Sequence, residues 1–243
     1  MKKEIGEKIL HQTEADYNLI AQDFDQTRGY LWPGLKEFKT FVKDGDQVLD
    51  LGCGNGKLRL LFKDVKLNYT GVDQAQKLLD IAQNRQDFKL ENQKFIQANV
   101  AKLPLPDNSF DVVFFIAVFH HLPGRDLREQ TVQEIKRVLK PGGILIMTNW
   151  NRYQKEFLPH VINYTFLKLI GKSEMDFKDI YLPWQRGKTY RYYHAFTLGE
   201  LRKIIKSSGL SLEKNYLAEL SGRPVSKFDY LTAANLVTVA KKC

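Results

Sequence analysis

The chain has 243 residues, 43% of them hydrophobic, and a formal net charge of +9 at pH 7, which fits one globular domain with additions. No apolar run is long enough to span a bilayer, and the N-terminal stretch MKKEIGEKILHQTEAD lacks the apolar segment of a signal peptide. The two cysteines, Cys53 and Cys243, do not suggest a disulfide, which fits a cytoplasmic protein. We expect neither a membrane nor DNA as a partner.

The positive charge is concentrated in the C-terminal part of the chain. Residues 151–243 contain sixteen Lys and Arg against eight Asp and Glu, whereas residues 1–150 are nearly balanced. This asymmetry predicts a face that meets an anionic partner. A lysine-rich, well-solvated surface would give the same count, so charge alone leaves both interpretations open.

Strands and helices alternate after an N-terminal helical segment over residues 1–45. Helices are predicted to begin at KLRLLFK (57–63), AQKLLDIAQNR (75–85) and RDLREQTVQEIKRVLK (125–140), the last stopped by PGG. The predicted strands are QVLDL (47–51), NYTGVD (68–73), KFIQANV (94–100), FDVVFFIAVF (110–119) and ILIMTNW (144–150). Apolar strands alternating with helices are typical of a parallel sheet covered on both faces. Residues 46–150 are therefore predicted to be a cofactor-binding half.

The alternation stops after residue 150. Residues 151–196 contain helix-compatible stretches but no clear strand pattern, and we interpret them as a cap insertion over the substrate. A helix is predicted over 197–210, followed by a pair of strands within 211–243. The predicted fold is a single α/β domain over 1–243. It has a Rossmann-like, seven-stranded, mostly parallel sheet with helices on both faces, plus the N-terminal helical segment and the cap after strand five.

The stretch DLGCGNGK (50–57) carries the first functional signal. Glycines are needed where the backbone turns sharply from strand to helix and where a ligand lies against the main chain. Asp73 ends the next predicted strand, where a carboxylate can accept both hydroxyls of a ribose. An ordinary tight turn is the competing interpretation, and the ordered set of turn, acid and later PGG disfavours it.

The glycine spacing distinguishes between cofactors. The dinucleotide fingerprint is G-x-G-x-x-G, but here the third glycine comes one position early and Lys57 follows it. Asp50 would repel a pyrophosphate, yet it suits the cationic amino group of an amino acid. The pattern therefore favours S-adenosylmethionine, which carries an amino group and a sulfonium, over a nicotinamide dinucleotide.

Four stretches in order, VLDLGCGNGK, GVD, LPLPDNSFDVV and EIKRVLKPGG, resemble the class I S-adenosylmethionine-dependent methyltransferases. The resemblance implies S-adenosylmethionine as cofactor and S-adenosylhomocysteine as product. One departure is Asn99, where many members have an aspartate; an asparagine can still accept from the adenine amino group. The residues that the resemblance assigns to the cofactor are Asp50, Gly52, Gly54, Asn55, Gly56, Asp73, Gln74, Asn99, Val100, Ala117, Tyr17 and Arg28.

Three further stretches are more restrictive. They are YNLIAQDFDQTRGYLWPGL (17–35), IAVFHHL (116–122) and KDIYLPWQRGKTYRYYHAF (178–196). Together they resemble the tRNA wobble-uridine carboxymethyl methyltransferases, which methylate the carboxylate of 5-carboxymethyluridine. That resemblance implies tRNA as substrate. It also raises a small zinc-binding activator subunit as a partner, because the eukaryotic members of the family work with one.

The residues predicted to act on substrate surround the stretch RYYHAF (191–196). A carboxylate is already ionised at neutral pH, so the reaction needs a cation to hold it rather than a general base. Arg191 is the first candidate and Arg28 the second. Trp184, Tyr192 and Tyr193 are candidates for stacking on an extruded base. His120, His121 and His194 are candidates for hydrogen bonds to the uracil edge or the carboxymethyl group, and His120 is placed among the catalytic residues with Arg191 and Arg28.

Purely structural roles for these residues stay open. Strand alternation predicts that only one of Tyr192 and Tyr193 points inward, and we favour a function for only one of His120 and His121. We expect no metal site, because adjacent histidines lack helical ligand spacing and no cysteine pair supports one. Trp32 is interpreted as fixing the N-terminal helix.

The sequence is also compatible with two other functions. The cofactor motifs would equally suit a methyltransferase acting on the carboxylate or hydroxyl of a small molecule. A non-catalytic S-adenosylmethionine-binding module is the second alternative.

Overall fold

The computed structural model describes residues 1–28, 30–86, 88–184 and 189–243. These residues form a central eight-stranded sheet in the order β3-β2-β1-β4-β5-β10-β8-β9, and a separate two-stranded sheet of β6 and β7. The strands are β1 Gln47–Leu51, β2 Asn68–Asp73, β3 Asn92–Gln97, β4 Phe110–Ile116, β5 Leu139–Trp150, β6 Asp179–Trp184, β7 Thr189–His194, β8 Ser211–Ala218, β9 Pro224–Val225 and β10 Asn235–Lys241.

The sheet is parallel over its first half and antiparallel over its second. Strands β1 to β5 pair in parallel, with Asp50 beside Gly71 and Phe114. Strand β10 then lies antiparallel between β5 and β8. The predicted Rossmann-like architecture is confirmed, with seven strands as expected and β9 as an eighth. Strand β9 has two residues and begins with a proline, so it leaves no periodic signal in the sequence.

Both faces of the sheet are covered, as the continuously apolar strands indicated. Along β4, Val113 and Phe115 pack into one core, whereas Val112 and Phe114 pack into the other. Successive side chains of a strand point to opposite faces, so each face needs its own helical layer. The helices are α1 Lys3–Leu19, α2 Ala21–Arg28, α3 Gln76–Asn84, α4 Arg125–Val138, α5 Leu158–Leu169 and α6 Leu198–Ser207; 3₁₀ helices span Pro33–Phe41, Lys57–Phe62 and Phe119–His121.

Several boundaries differ from the predicted ones. KLRLLFK forms a 3₁₀ helix rather than the start of an α-helix. Strand β4 ends at Ile116, three residues early, because Ala117 has a left-handed φ of 58° that turns the chain across the sheet edge. Strand β5 begins at Leu139, ahead of the PGG that was expected to precede it. In the described ranges no helix combines the length and apolarity needed to cross a membrane.

The cap insertion contains a feature that the sequence analysis missed. Residues 158–169 are helical, as their composition allowed, but β6 and β7 form an antiparallel hairpin. Tyr192 and Tyr193 have different neighbours, as the predicted strand alternation requires, but both are buried. The hairpin is packed on both faces: Tyr193 lies in an apolar cluster with Val161, and Tyr192 contacts Tyr181. Residues 29 and 185–188, which fall within two of the quoted motifs, lie outside the described residues.

Candidate active site

A cleft opens at the carboxyl ends of β1, β2 and β4, where ligands bind in open α/β sheets. Its volume, including the space open to solvent, is about 1180 Å³. Helices α1 and α2 cover one side through Glu14, Tyr17, Phe24 and Arg28. Predicted cofactor residues that line the cleft are Tyr17, Arg28, Asp50, Gly52, Gly54, Asn55, Asp73, Gln74, Val100 and Ala117.

The glycine turn lies on the floor of this cleft. Gly52 has a φ of 72°, and a Cβ added there would lie 2.3 Å from Cγ2 of Val118. Gly54 also has a left-handed φ, of 53°. The turn therefore needs glycine both for its backbone angles and for the close approach of the next loop.

Asp73 closes the turn from the neighbouring strand. Its carboxylate accepts hydrogen bonds from the backbone N–H of Gly54 at 2.8 Å and of Ala75 at 2.9 Å. Desolvation raises the pKa of Asp73, while these N–H groups oppose the rise. The carboxylate is thus held rigidly at the end of β2, where the sequence predicted a ribose contact.

Asp50 lies beside the turn and is only 3% exposed. The hydroxyl of Tyr69 donates to it at 2.5 Å. Burial raises the pKa of Asp50 to about 7, against the effect of this hydrogen bond. A cationic ligand group in the cleft would favour the ionised carboxylate.

Lys57 is a cleft residue that the sequence analysis did not assign. Its Nζ lies 5.6 Å from the centre of the Trp32 ring, and Trp32 lines the cleft as well. Burial lowers the pKa of Lys57 to about 8, and the charge of Arg28 acts in the same direction. Its position directly after the third glycine is visible in the sequence, but there it served only as an argument against a dinucleotide cofactor.

Other predicted cofactor residues are partly engaged within the protein. The amide of Asn55 donates to Asp25 at 2.7 Å, and that of Gln74 donates to Glu14 at 2.8 Å. Gly56 and Asn99 are not among the residues that line the cleft, and Asn99 accepts a hydrogen bond from the backbone N–H of Ala101.

A chain of hydrogen bonds connects the cleft to the hairpin. Nδ1 of His121 lies 2.9 Å from the carbonyl oxygen of Tyr192, so this nitrogen carries the proton and donates. Nε2 of His121 then accepts from the hydroxyl of Tyr17 at 2.9 Å. The Tyr17 oxygen in turn accepts from Arg191 at 3.4 Å. Burial and the charge of Arg191 lower the pKa of His121 to about 3, so this imidazole stays neutral at physiological pH.

Arg191 and Arg28 share one aromatic surface. The guanidinium carbon of Arg191 lies 3.9 Å from the centre of the Trp184 ring, and that of Arg28 lies 5.2 Å from it. Arg28 lines the cleft directly, whereas Arg191 is 5% exposed and reaches it through Tyr17. The two candidate cations are thus brought together.

His120 and Tyr193 form a layer behind the cleft. The His120 ring stacks on Tyr193 with 5.3 Å between ring centres, and on Trp150 with 5.5 Å. Its Nδ1 accepts from the backbone N–H of Trp150 at 3.3 Å. Burial lowers the pKa of His120 well below its ordinary value. Trp150, which the sequence analysis treated only as the end of a strand, lines the cleft itself.

His194 lies apart from the cleft. Its Nδ1 is 2.6 Å from a carboxylate oxygen of Asp179, and its Nε2 is 2.7 Å from one of Glu200. Both ring nitrogens are therefore engaged inside the protein. Tyr192 is buried against Tyr181 and, like Arg191, Trp184 and Tyr193, is not among the cleft-lining residues, so the substrate contacts predicted for these residues stay predictions.

Comparison with known proteins adds an independent observation. Residues 49–147 match a family model described as a methyltransferase domain. A tRNA (carboxymethyluridine(34)-5-O)-methyltransferase of Schizosaccharomyces pombe is 30% identical over 239 residues, covering 89% of this chain and 95% of that protein. The mouse protein of the same description, ALKBH8, is 33% identical over 173 residues. The match covers 71% of this chain but only 24% of the mouse protein.

A solved structure shows the same fold. It is described as a complex between the Haloferax volcanii Trm112 methyltransferase activator and a methyltransferase. The matched chain has a TM-score of 0.65 at 19% identity, and the match covers 94% of this chain and 96% of that one.

Proposed function

Since this chain belongs to the S-adenosylmethionine-dependent methyltransferases, in the family of the tRNA (carboxymethyluridine(34)-5-O)-methyltransferases, we propose that it methylates the carboxylate of 5-carboxymethyluridine at the wobble position of tRNA. The observation that carries the proposal is the cleft: the glycine turn, Asp73 and Arg28 line it, and Arg191 is connected to it through Tyr17.

The cleft residues fit the cofactor. S-adenosylmethionine carries a methyl group on a sulfonium, and this methyl group is transferred to the nucleophile. Asp50 is placed to receive the cofactor's ammonium group and Asp73 its ribose hydroxyls. Gly52 and Gly54 line the cleft without side chains, so their backbone is accessible to a ligand. Tyr17 and Phe24 cover this part of the cleft from α1 and α2.

The substrate side follows from the charges. One carboxylate oxygen of the substrate forms the new bond to the methyl carbon while the carbon–sulfur bond breaks, giving a methyl ester and a neutral thioether. No proton moves in this step, which matches a site whose histidine, His121, stays neutral. Arg191, held by Tyr17 and stacked on Trp184, is the candidate to fix the other carboxylate oxygen. Alignment of the groups is then the protein's main contribution.

The substrate assignment has two supports. The relative from S. pombe, matched over most of both chains, is named for this reaction. The basic excess in residues 151–243 suits a polyanion.

A small activator subunit is part of this proposal. The structurally matched methyltransferase was solved with a Trm112 activator. Adding a candidate zinc-binding subunit of this kind to an otherwise weak reaction should increase turnover. Equal turnover with and without it would contradict a need for the partner.

The function is tested by methyl transfer from labelled S-adenosylmethionine to tRNA that carries 5-carboxymethyluridine, followed by nucleoside mass spectrometry. We expect a methyl ester on the wobble uridine, and tRNA lacking the carboxymethyl group as a control should remain unlabelled. Arg191→Met should retain cofactor affinity and lose turnover. Label on a small carboxylic acid but not on tRNA would instead identify a small-molecule methyltransferase.

A further inference from the structure

Two buried guanidinium groups stand at the wall between the cleft and the cap. Arg191 is 5% exposed and Arg152 is 4% exposed. Within the ranges that the structure describes, neither forms an ion pair with a carboxylate, and the Nε atom of each has no hydrogen-bond partner. Arg152 lies two residues after the end of β5, and no motif of the sequence predicted a role for it.

The two groups lie on the same pair of aromatic rings. The guanidinium carbon of Arg152 is 4.1 Å from the centre of Tyr193 and 4.7 Å from that of Trp150. The corresponding distances for Arg191 are 5.3 Å and 5.7 Å. Phe157 adds a third ring, 4.5 Å from Arg152. The rings fix both cations in place and shield them from water.

This arrangement is costly in the absence of an anion. A buried charge without a counter-ion loses its hydration, and stacking on rings recovers only part of that loss. Burial lowers the pKa of Arg152 to about 10, and the charge of Arg191 acts in the same direction. Tyr193, Tyr17 and, most weakly, the exposed carboxylate of Glu156 act on that pKa in the opposite direction. Two cations held this close are suited to a ligand with two negative charges.

We propose that Arg152 binds a second anion of the substrate, the 5′-phosphodiester of the same nucleotide whose carboxylate Arg191 holds. This inference rests on the proposed function. In the anti conformation of a pyrimidine nucleotide, the edge with carbons 5 and 6 faces the nucleotide's own 5′-phosphate. A carboxymethyl group on carbon 5 and that phosphate therefore lie on one side, as the two arginines do. A guanidinium fork also matches phosphate geometry.

The test compares two probes, 5-carboxymethyluridine and its 5′-monophosphate, by calorimetry with S-adenosylhomocysteine present. We expect the wild-type protein to bind the monophosphate about 10- to 100-fold more tightly than the nucleoside, as one charge-assisted contact would give. Arg152→Met should abolish that preference and leave nucleoside affinity unchanged. Arg152→Lys should retain part of it, because the charge remains without the fork.

Controls separate this site from general charge and from folding. Arg202→Met removes one charge from the exposed surface and should keep the full preference. Affinity for S-adenosylhomocysteine should be the same in all variants, which verifies that the cleft is folded. With tRNA, Arg152→Met should raise KM about 10-fold or more and change kcat little.

The outcomes are distinguishable. If the wild-type protein methylates tRNA but binds both probes equally, or if Arg152→Met weakens both probes alike, the phosphate site is wrong and the proposed function stands. If the wild-type protein transfers no methyl group to tRNA carrying 5-carboxymethyluridine, even with the activator, the proposed function fails and this inference fails with it.

Discussion

Gly52 and Gly45 have similar backbone angles but different surroundings. Their φ values are 72° and 89°, in the left-handed region that side chains disfavour. A Cβ at Gly45 would have no heavy atom within 4 Å, whereas one at Gly52 would collide with the side chain of Val118. A single added methyl group at Gly52 would therefore disturb the packing of the turn against Val118, a residue that lines the cleft.

The pair offers a matched test. Gly45→Ala should cost about 1–2 kcal/mol of unfolding free energy from backbone strain alone. Gly52→Ala adds overpacking, so its loss should be about 2–5 kcal/mol. Urea unfolding measures both, and calorimetry should show weakened cofactor binding only for Gly52→Ala. Equal losses in the two variants would contradict the collision.

The pH dependence of cofactor affinity should reflect Asp50. Its pKa of about 7 in the free protein means that the carboxyl group is increasingly protonated below neutrality. A cofactor ammonium group binds the ionised form, so affinity should fall as pH falls, by about fivefold to tenfold between pH 7 and 6. In Asp50→Asn the affinity should be lower and nearly flat over this range. A slope that survives the substitution would assign the titration to another group.

At the scale of elements, the hairpin β6–β7 is fixed to α6 by a buried charge network. His194 lies between Asp179 of β6 and Glu200 of α6, and Lys178 pairs with Glu200 at 2.9 Å. Burial by itself would raise the pKa of Glu200, but His194 and Lys178 outweigh it and lower that pKa to about 2. The network holds the strand that carries Arg191, so it positions the site without touching it.

Glu200→Gln tests this connection. Because the folded-state pKa lies below the ordinary value near 4.5, the carboxylate stabilises the fold above that pH and loses its effect as pH falls toward 2. The variant should therefore lose up to about 3 kcal/mol at pH 6 and about half of that or less at pH 3. Urea unfolding at both pH values measures the difference. Glu91→Gln, at an exposed position outside this network, should show neither effect.

At the scale of the whole molecule, the net charge differs between the N-terminal and C-terminal parts of the chain. The half that binds the cofactor is nearly neutral, and the basic excess lies in residues 151–243, which carry the cap and the last strands. A polyanionic substrate would be attracted to the basic residues of this part of the chain. The cofactor, with its small charge, needs no such field.

Salt should therefore separate the two ligands. Affinity for tRNA should fall roughly 100-fold between 50 and 200 mM salt, as expected for about four phosphate contacts. Affinity for S-adenosylhomocysteine should change less than about twofold, because this ligand carries no phosphate and no net charge. Filter binding and calorimetry give the two values. An affinity for tRNA that is insensitive to salt would count against an RNA substrate.

The sequence by itself determined the parallel sheet, the glycine turn, Asp73 and the class of cofactor. These signals are local: apolar runs, a left-handed turn and an acid at a strand end depend on neighbouring residues. Long-range pairing decided the rest. The hairpin β6–β7 has no clean alternation, because both of its faces are buried and both Tyr192 and Tyr193 are covered.

The partners of each candidate residue were likewise decided by the tertiary structure. His121 and His194 look alike in sequence, but one lines the cleft and the other is bound between two carboxylates from distant elements. Arg152 gave no signal, since the ring nearest to its guanidinium carbon is that of Tyr193, which comes from the distant strand β7. Burial and charge compensation are properties of the packed molecule, and no spacing within one segment encodes them.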